Sequence, residues 1–317
     1  MGSERSILKK RVNYKPFEYP EVMQFIEAIN KSYWVHSEVD FTADIQDFKT
    51  NLTDVEREVI KRSLLSIAQV EVGVKTFWGN LYNYFPKPEM NGLGSTFAEC
   101  EFRHSEAYSR LLEVMGYEEE FENILQEPVF QEKFNTIQEN LSNDLPIAWK
   151  LLFFTIVIEN ASLFSQFANI LSFTRFKGYM KNTSNIIAWT SIDEQTHANA
   201  GIYLINKMKE ENLISKDLLA LLQYILKEYI NEESKLLDWI YEKGELDFFT
   251  KEDMLNFMKH RIDESLVKMG LDKVFNITAE QYKPMAWFEE EVFANAQDDF
   301  FAKRPVDYTK HDKPITE

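Results

Sequence analysis

The sequence predicts an all-α protein, and three observations carry that prediction. The 317 residues include only 10 Gly and 9 Pro, few for a barrel or sandwich built from many tight turns. Apolar residues recur at helical spacing over most of the chain, and no convincing strand pattern appears. Helix-start signals recur as well, the clearest being Thr53-Asp54-Val55-Glu56, a capping box with Glu at the third helical position. With 44% apolar and 14% aromatic residues, the chain can bury a large core.

Taken in order, residues 1–50 read as an N-terminal arm with one short helix near Glu21–Tyr33. From Thr53 a periodic segment continues to about Tyr84, and FPKPEMNGLGS, from Phe85 to Ser95, reads as a turn. The next helix ends near Gly116, and a shorter one covers about Val129–Leu141. Pro146 starts a long apolar helix that runs to about Lys177. Further helices are expected over Asn185–Glu211, Lys216–Tyr241, Lys251–Met269 and Ala279–Ala294. No low-complexity linker divides the chain, so residues 51–300 are expected to form one helical domain, with 301–317 as a polar C-terminal tail.

Charge and composition exclude several classes. A net charge of −17 and a pI near 4.9, with no basic block, argue against a nucleic-acid surface. The most apolar run, Leu151–Ile158, is bracketed by Lys150 and Glu159 and falls short of the roughly twenty residues of a membrane span. The N-terminus lacks the apolar stretch of a signal peptide. Cys100 is the only cysteine, which excludes an intrachain disulfide and suits a reducing cytoplasm.

Chemistry concentrates in AECEFRHSEAYSRL, Ala98–Leu111. At about 100° per residue, Phe97, Glu101, His104 and Tyr108 share one face, while Glu99, Arg103, Glu106 and Arg110 fall opposite, as on a solvated face. Cys100 sits off the ligand face and reads as packing. A carboxylate and an imidazole on an apolar face must be paired or must hold a metal. The Glu-x-x-His spacing recurs at Glu194 and His197 in SIDEQTHANAG. Each pair is preceded by a helix with a lone Glu in an apolar run: Glu71 stands 30 positions before Glu101, and Glu159 stands 35 before Glu194. Four carboxylates and two neutral imidazoles are neutralised by two divalent cations. Oxygen-rich ligands with one nitrogen per metal suit iron or manganese better than structural zinc. Two helices donating Glu and two donating Glu-x-x-His form the carboxylate-bridged dimetal site of a ferritin-like bundle.

These residues also carry a family resemblance. WVHSEVDFTADIQDF, EFRHSEAY, the IEN stretch, SIDEQTH and FFAKRPVDY together resemble the small, radical-generating subunit of class I ribonucleotide reductase over nearly the whole chain. The resemblance implies a ribonucleoside-diphosphate reductase beta chain with Glu71, Glu101, His104, Glu159, Glu194 and His197 as metal ligands. It places the radical-forming tyrosine at Tyr108 and the electron-relaying aromatic at Trp34. Asp193 would link that tryptophan to His104, and Tyr308 would be the tail tyrosine that hands the radical to the large subunit. An oxidised cluster, directly or through Tyr108, would then generate a thiyl radical in the large subunit, where ribonucleotide becomes deoxyribonucleotide. A homodimer is implied as well.

Three departures sharpen the expectation. Glu71 stands where common diiron members carry Asp, which resembles the subclasses using manganese–iron or dimanganese clusters. Two manganese are therefore favoured, with manganese–iron or two iron as the alternatives and a flavodoxin-like activating protein as a partner. Lys75 follows one turn after Glu71 on the metal-facing side. It reads either as an ion pair with a nearby acid or as a charge that draws an anionic oxidant such as superoxide. The tail, DYTKHDKPITE, lacks the apolar anchors that often dock this subunit. The competing functions are a ferritin-like dimetal oxidase with a ligand-binding role, a metal-storage bundle and a helical interaction protein; none of them needs both the Trp34–Asp193–His104 relay and a tyrosine-bearing tail.

Overall fold

The computed structural model describes residues 5–292. Among these the regular structure is helical, with no strand. The chain begins with a segment held down by Ile7 and Tyr19, both buried. Two helices follow within the first fifty residues, α1 (Val22–Lys31) and α2 (Thr42–Thr50). The expected arm is thus folded onto the body, and its second helix was not foreseen. Helix α3 (Asp54–Gly79) starts at the capping box: Thr53 Oγ1 accepts from Glu56 N, and Glu56 Oε2 accepts from Thr53 N at 2.8 Å. A short α4 (Leu81–Tyr84) leads into α5 (Pro88–Met115), which stops at Gly116 in the left-handed conformation with φ 76°.

The expected turn from Phe85 to Ser95 is a turn only up to Lys87. Pro88 opens α5 at its first helical position, where a missing N–H costs nothing. The glycines of this stretch serve packing: a Cβ at Gly94 would lie 2.5 Å from the Trp78 carbonyl oxygen, so Gly94 lets α5 approach α3.

Helices α6 (Glu118–Asn123) and α7 (Pro128–Asn140) follow, then α8 (Ile147–Phe153), a π-helical segment (Phe154–Ser162) and α9 (Phe164–Lys177). The last three run on as a single apolar helix. It is long and apolar enough to cross a membrane by composition, yet 94% of its most apolar window is buried inside the fold. Helix α10 (Lys181–Glu210) is held at its start by α2: Asp44 Oδ2 accepts from Thr183 N at 2.6 Å and Asp47 Oδ2 from Met180 N at 3.1 Å. Helices α11 (Lys216–Ile240), α12 (Lys251–Lys268) and α13 (Ala279–Tyr282) complete the order, and residues 287–292 are again helical. Where one helix was expected over Ala279–Ala294, the chain makes α13, a 3-10 turn at Lys283–Met285 and then that last segment.

Helices α3, α5, α10 and the π-containing helix pack together as the inner four, while α1, α11 and α12 lie against them. Each of the inner four contributes acids or histidines to the middle of the bundle.

Candidate metal centre

Six side chains from the inner helices meet in the core. Glu71 comes from α3, Glu101 and His104 from α5, Glu159 from the π-helical segment, and Glu194 and His197 from α10; all are buried. They form two overlapping groups, Glu71–Glu101–His104–Glu194 and Glu101–Glu159–Glu194–His197. Within each group one ligand atom per residue lies within 4.8 Å of the others, and Glu101 and Glu194 belong to both. His104 Nδ1 lies 3.0 Å from Glu194 Oε1 and 3.2 Å from Glu101 Oε2. His197 Nδ1 lies 2.9 Å from Glu101 Oε1 and 3.5 Å from Glu159 Oε2.

This donor set fits a pair of divalent cations. Both oxygens of Glu71, Glu101 Oε1, Glu159 Oε2, Glu194 Oε1 and both ring nitrogens of His197 are buried without a hydrogen-bond partner among the described residues. Buried polar atoms are otherwise almost always paired, so orphans converging from four helices point to cation ligation. Electrostatics agrees. Burial, reinforced by the charges of Glu101 and Glu194, pushes the Glu71 carboxyl well up despite the opposing His104, and burial with the Glu194 charge raises Glu159. Burial opposes ionisation of Glu194 too, but the close approach of Glu159, His104 and His197 outweighs it and holds that carboxyl low.

The surroundings exclude water and orient the donors. Trp78 Nε1 donates to Glu159 Oε1 at 2.6 Å, and the Phe97 ring lies 4.2 Å from the His197 ring. Trp34 stacks on His104 at 5.7 Å and 16°, and its Nε1 donates to Asp193 Oδ2 at 2.9 Å. His104 Nε2 lies 3.1 Å from the same oxygen. With the proton on Nε2, the Nδ1 lone pair would face the carboxylates, the tautomer that metal ligation requires.

A model of the ribonucleotide reductase small chain matches residues 11–284. The chain belongs to that family. It is the small subunit of a ribonucleotide reductase, which works with a large subunit. This small chain is 29% identical over 343 residues to a probable ribonucleoside-diphosphate reductase small subunit, 376L, of Invertebrate iridescent virus 6, covering 96% of this chain and 95% of that one. It is 25% identical to the ribonucleoside-diphosphate reductase subunit beta of Chlamydia pneumoniae, covering 87% and 83% of the two chains. Two solved structures share the fold. A putative class I ribonucleotide reductase from Bacillus halodurans aligns with TM-score 0.78 at 19% identity, covering 86% of this chain and 99% of that one. The dimanganese(II)-NrdF of Streptococcus sanguinis aligns with TM-score 0.76 at 16% identity, covering 91% and 99%.

The small chain's other sequence-predicted residues are distributed unevenly. Trp34 and Asp193 join the site as a hydrogen-bonded pair. Tyr108 is buried beside it, but its hydroxyl donates to Thr190 Oγ1 at 3.1 Å, and that hydroxyl donates on to the Ile186 carbonyl at 2.9 Å. Lys75 is only half-buried, and its ammonium donates to Ser105 Oγ at 3.3 Å rather than meeting an acid. It lines a cavity of about 340 Å³ with Ser105, Tyr108 and the rim acids Glu106, Glu118 and Glu122. Tyr308 lies outside the described residues.

Two readings of α5 need correction. Arg103 is buried rather than solvated: Nε donates to Glu99 and Nη1 to the Trp34 carbonyl at 3.0 Å. Cys100 does more than pack, because its Sγ lies 3.4 Å from Asp193 Oδ2 and 3.5 Å from His104 Nε2. Helical phase on one helix missed Arg103–Trp34 and Cys100–Asp193, since each of these contacts reaches another part of the chain. Trp78 and Thr190 were missed for the same reason. Their only signal was being polar-tipped side chains on apolar faces that also carry site residues.

Proposed function

We propose that Glu71, Glu101, His104, Glu159, Glu194 and His197 hold a dinuclear metal cluster with which this small subunit initiates ribonucleotide reduction in its large partner. The convergence of orphaned carboxylate and imidazole atoms from four helices carries the proposal. Glu71 and His104 would hold one metal and Glu159 and His197 the other, and Glu101 and Glu194, which belong to both groups, could serve either. When bound, the metal pair supplies the one-electron oxidant from which the thiyl radical of the large subunit is made.

The protein's own residues then manage charge. Asp193 orients His104 through Nε2 and takes the hydrogen bond of Trp34 Nε1, so an electron leaving the indole can be matched by a proton shifting to Asp193 Oδ2. Trp189, with its ring 5.4 Å from Trp34, extends the aromatic path. Tyr308 would continue the path in the tail. Tyr108 has only a hydroxyl as proton acceptor, and burial followed by the charge of Glu71 pushes its phenol well up. A neutral hydroxyl is a poor proton acceptor, which favours an oxidant kept away from Tyr108.

Glutamate at position 71 and a lysine near the site favour two manganese over manganese–iron or two iron. Lys75 and its cavity offer an entry for an anionic oxidant, delivered by a flavodoxin-like activating protein. A second copy of the chain could cover the exposed Val72 and Phe102, on α3 and α5. The single thiol, Cys100, is buried and free, which fits a reducing cytoplasmic setting.

The decisive experiment loads metal-depleted protein with manganese and iron separately, counts bound metal, and assays each form with the large subunit. Two metals per chain with deoxyribonucleotide formation are expected. A Glu194→Ala, His197→Ala variant that still binds two metals would sink the ligand assignment.

A further inference from the structure

We propose that Arg261 is a positioning residue that sets the spacing between the π-helical turn carrying Glu159 and the helix carrying Glu194. Arg261 lies on α12, outside the ligand set, and its side chain is only 6% exposed. Its Nε donates to the Asn160 carbonyl at 2.8 Å, and Nη2 reaches Asn160 Oδ1 at 3.4 Å. Asn160 Nδ2 donates back to the Arg261 carbonyl at 2.9 Å. The same Nη2 donates to Gln195 Oε1 at 3.1 Å, and Nη1 meets Glu289 at 3.2 Å. The guanidinium carbon sits 3.3 Å from the Phe164 ring centroid.

The partners make the case. Asn160 directly follows Glu159, and Gln195 directly follows Glu194. Neighbouring helical residues point about 100° apart, so one planar fork grips both ligand-bearing segments from the side without touching the carboxylates. The segment it grips is π-helical, a wide turn that recurs at functional sites and needs outside support to persist. Burial of a guanidinium is costly where an aliphatic side chain would fill the space. Its only carboxylate partner among the described residues, Glu289, is half-exposed. Burial pushes Arg261 down to about 10, still far above neutrality, so the group is cationic in use. A rigid fork holds the Asn160 carbonyl and the Gln195 side-chain amide at a set distance, which a lysine or an apolar side chain does not.

This inference rests on the dimetal reading, and the test separates the two. Metal-free wild type, Arg261→Met, Arg261→Lys and Gln195→Leu are titrated with Mn(II) alone. Affinity is followed at both sites, exchange coupling between the bound ions is followed by electron paramagnetic resonance, and the Tm of each metal-free protein is recorded. Wild type should bind two ions, while Arg261→Met should bind them about 10- to 100-fold more weakly with an altered coupled spectrum. Arg261→Lys, which keeps the charge and loses the fork, should recover little. Gln195 is only half-buried, so Gln195→Leu should fold normally and shift the spectrum the same way; it decides the matter if Arg261→Met does not fold. Wild-type affinity and spectrum in the folded variants, whatever their Tm, would overturn the proposal. A wild type that takes up no manganese pair would instead overturn the metal reading, and this inference with it.

Discussion

Asp193 organises more of the site than any single ligand does. Its Oδ2 takes Trp34 Nε1 at 2.9 Å and faces His104 Nε2 at 3.1 Å and Cys100 Sγ at 3.4 Å, while Oδ1 takes Ser32 Oγ at 3.2 Å. An amide cannot accept from so many donors. Asp193→Asn is expected to lower reductase turnover about 10- to 100-fold while metal content, counted by mass spectrometry, stays at two per chain. Unchanged turnover would remove Asp193 from the relay. Trp78 tests the other end of the cluster. Trp78→Phe keeps most of the ring but strips Glu159 Oε1 of its donor, which should cost about 1–3 kcal/mol in urea unfolding of the metal-free protein. Neither Trp78 nor Ser32 stood out in the sequence, because a hydrogen bond across elements leaves no periodic trace. Glu-x-x-His did stand out, because both members lie on one helix and its phase is visible in the spacing.

At the scale of elements, close approach sets where the ligands meet. Gly94 sits against the Trp78 backbone, and a Cβ at Gly201 would lie 2.2 Å from Thr155 Oγ1 in the π-helical segment. Gly94→Ala and Gly201→Ala should each cost about 1–3 kcal/mol through overpacking, read from denaturant midpoints. Gly201→Ala should also weaken manganese binding, because it pushes α10 away from the segment that carries Glu159. Equal stability and metal affinity in both variants would show that the contacts relax freely. The sequence suggested a turn around Gly94, and a helix was formed. A glycine's conformational freedom and its lack of a side chain are indistinguishable until a neighbouring helix is in place.

For the whole molecule, two ledgers are open to measurement. Cations held by the folded cluster would not be held by the dispersed ligands of the unfolded chain, so at a thousand times Kd each should add about 4 kcal/mol. Manganese should therefore raise Tm by several degrees, and a chelator should reverse the rise; a Tm indifferent to metal would count against the cluster. The second ledger is acid stability. Burial alone would raise Glu58, but hydrogen bonds with Lys243, Lys61 and Arg62 pull it down to about 2 from 4.5. A depressed carboxyl contributes stability that is fully present above its unfolded value and is lost as pH falls from 4.5 towards 2. The gap in urea midpoint between wild type and Glu58→Gln should thus be widest at neutral pH and close by about pH 2. A gap independent of pH would show that the ion pairs around Glu58 are not its source.

Helical class, the capped start of α3, the end of α5 at Gly116 and all six proposed ligands were determined by local pattern alone. Each depends on residues within a turn or two of one another, or on the repetition of such a pattern. Tertiary structure decided the rest. It bent the apolar run 147–177 into a π-helical turn at Glu159, because packing rather than propensity sets the width of a turn in a buried helix. It buried Arg103 against Trp34 and turned Lys75 towards Ser105. It also brought Arg261 from α12, more than sixty positions from either residue it grips, to the back of two ligand-bearing helices. Spacing along a helix says which way a side chain points; only the assembled bundle says what stands opposite.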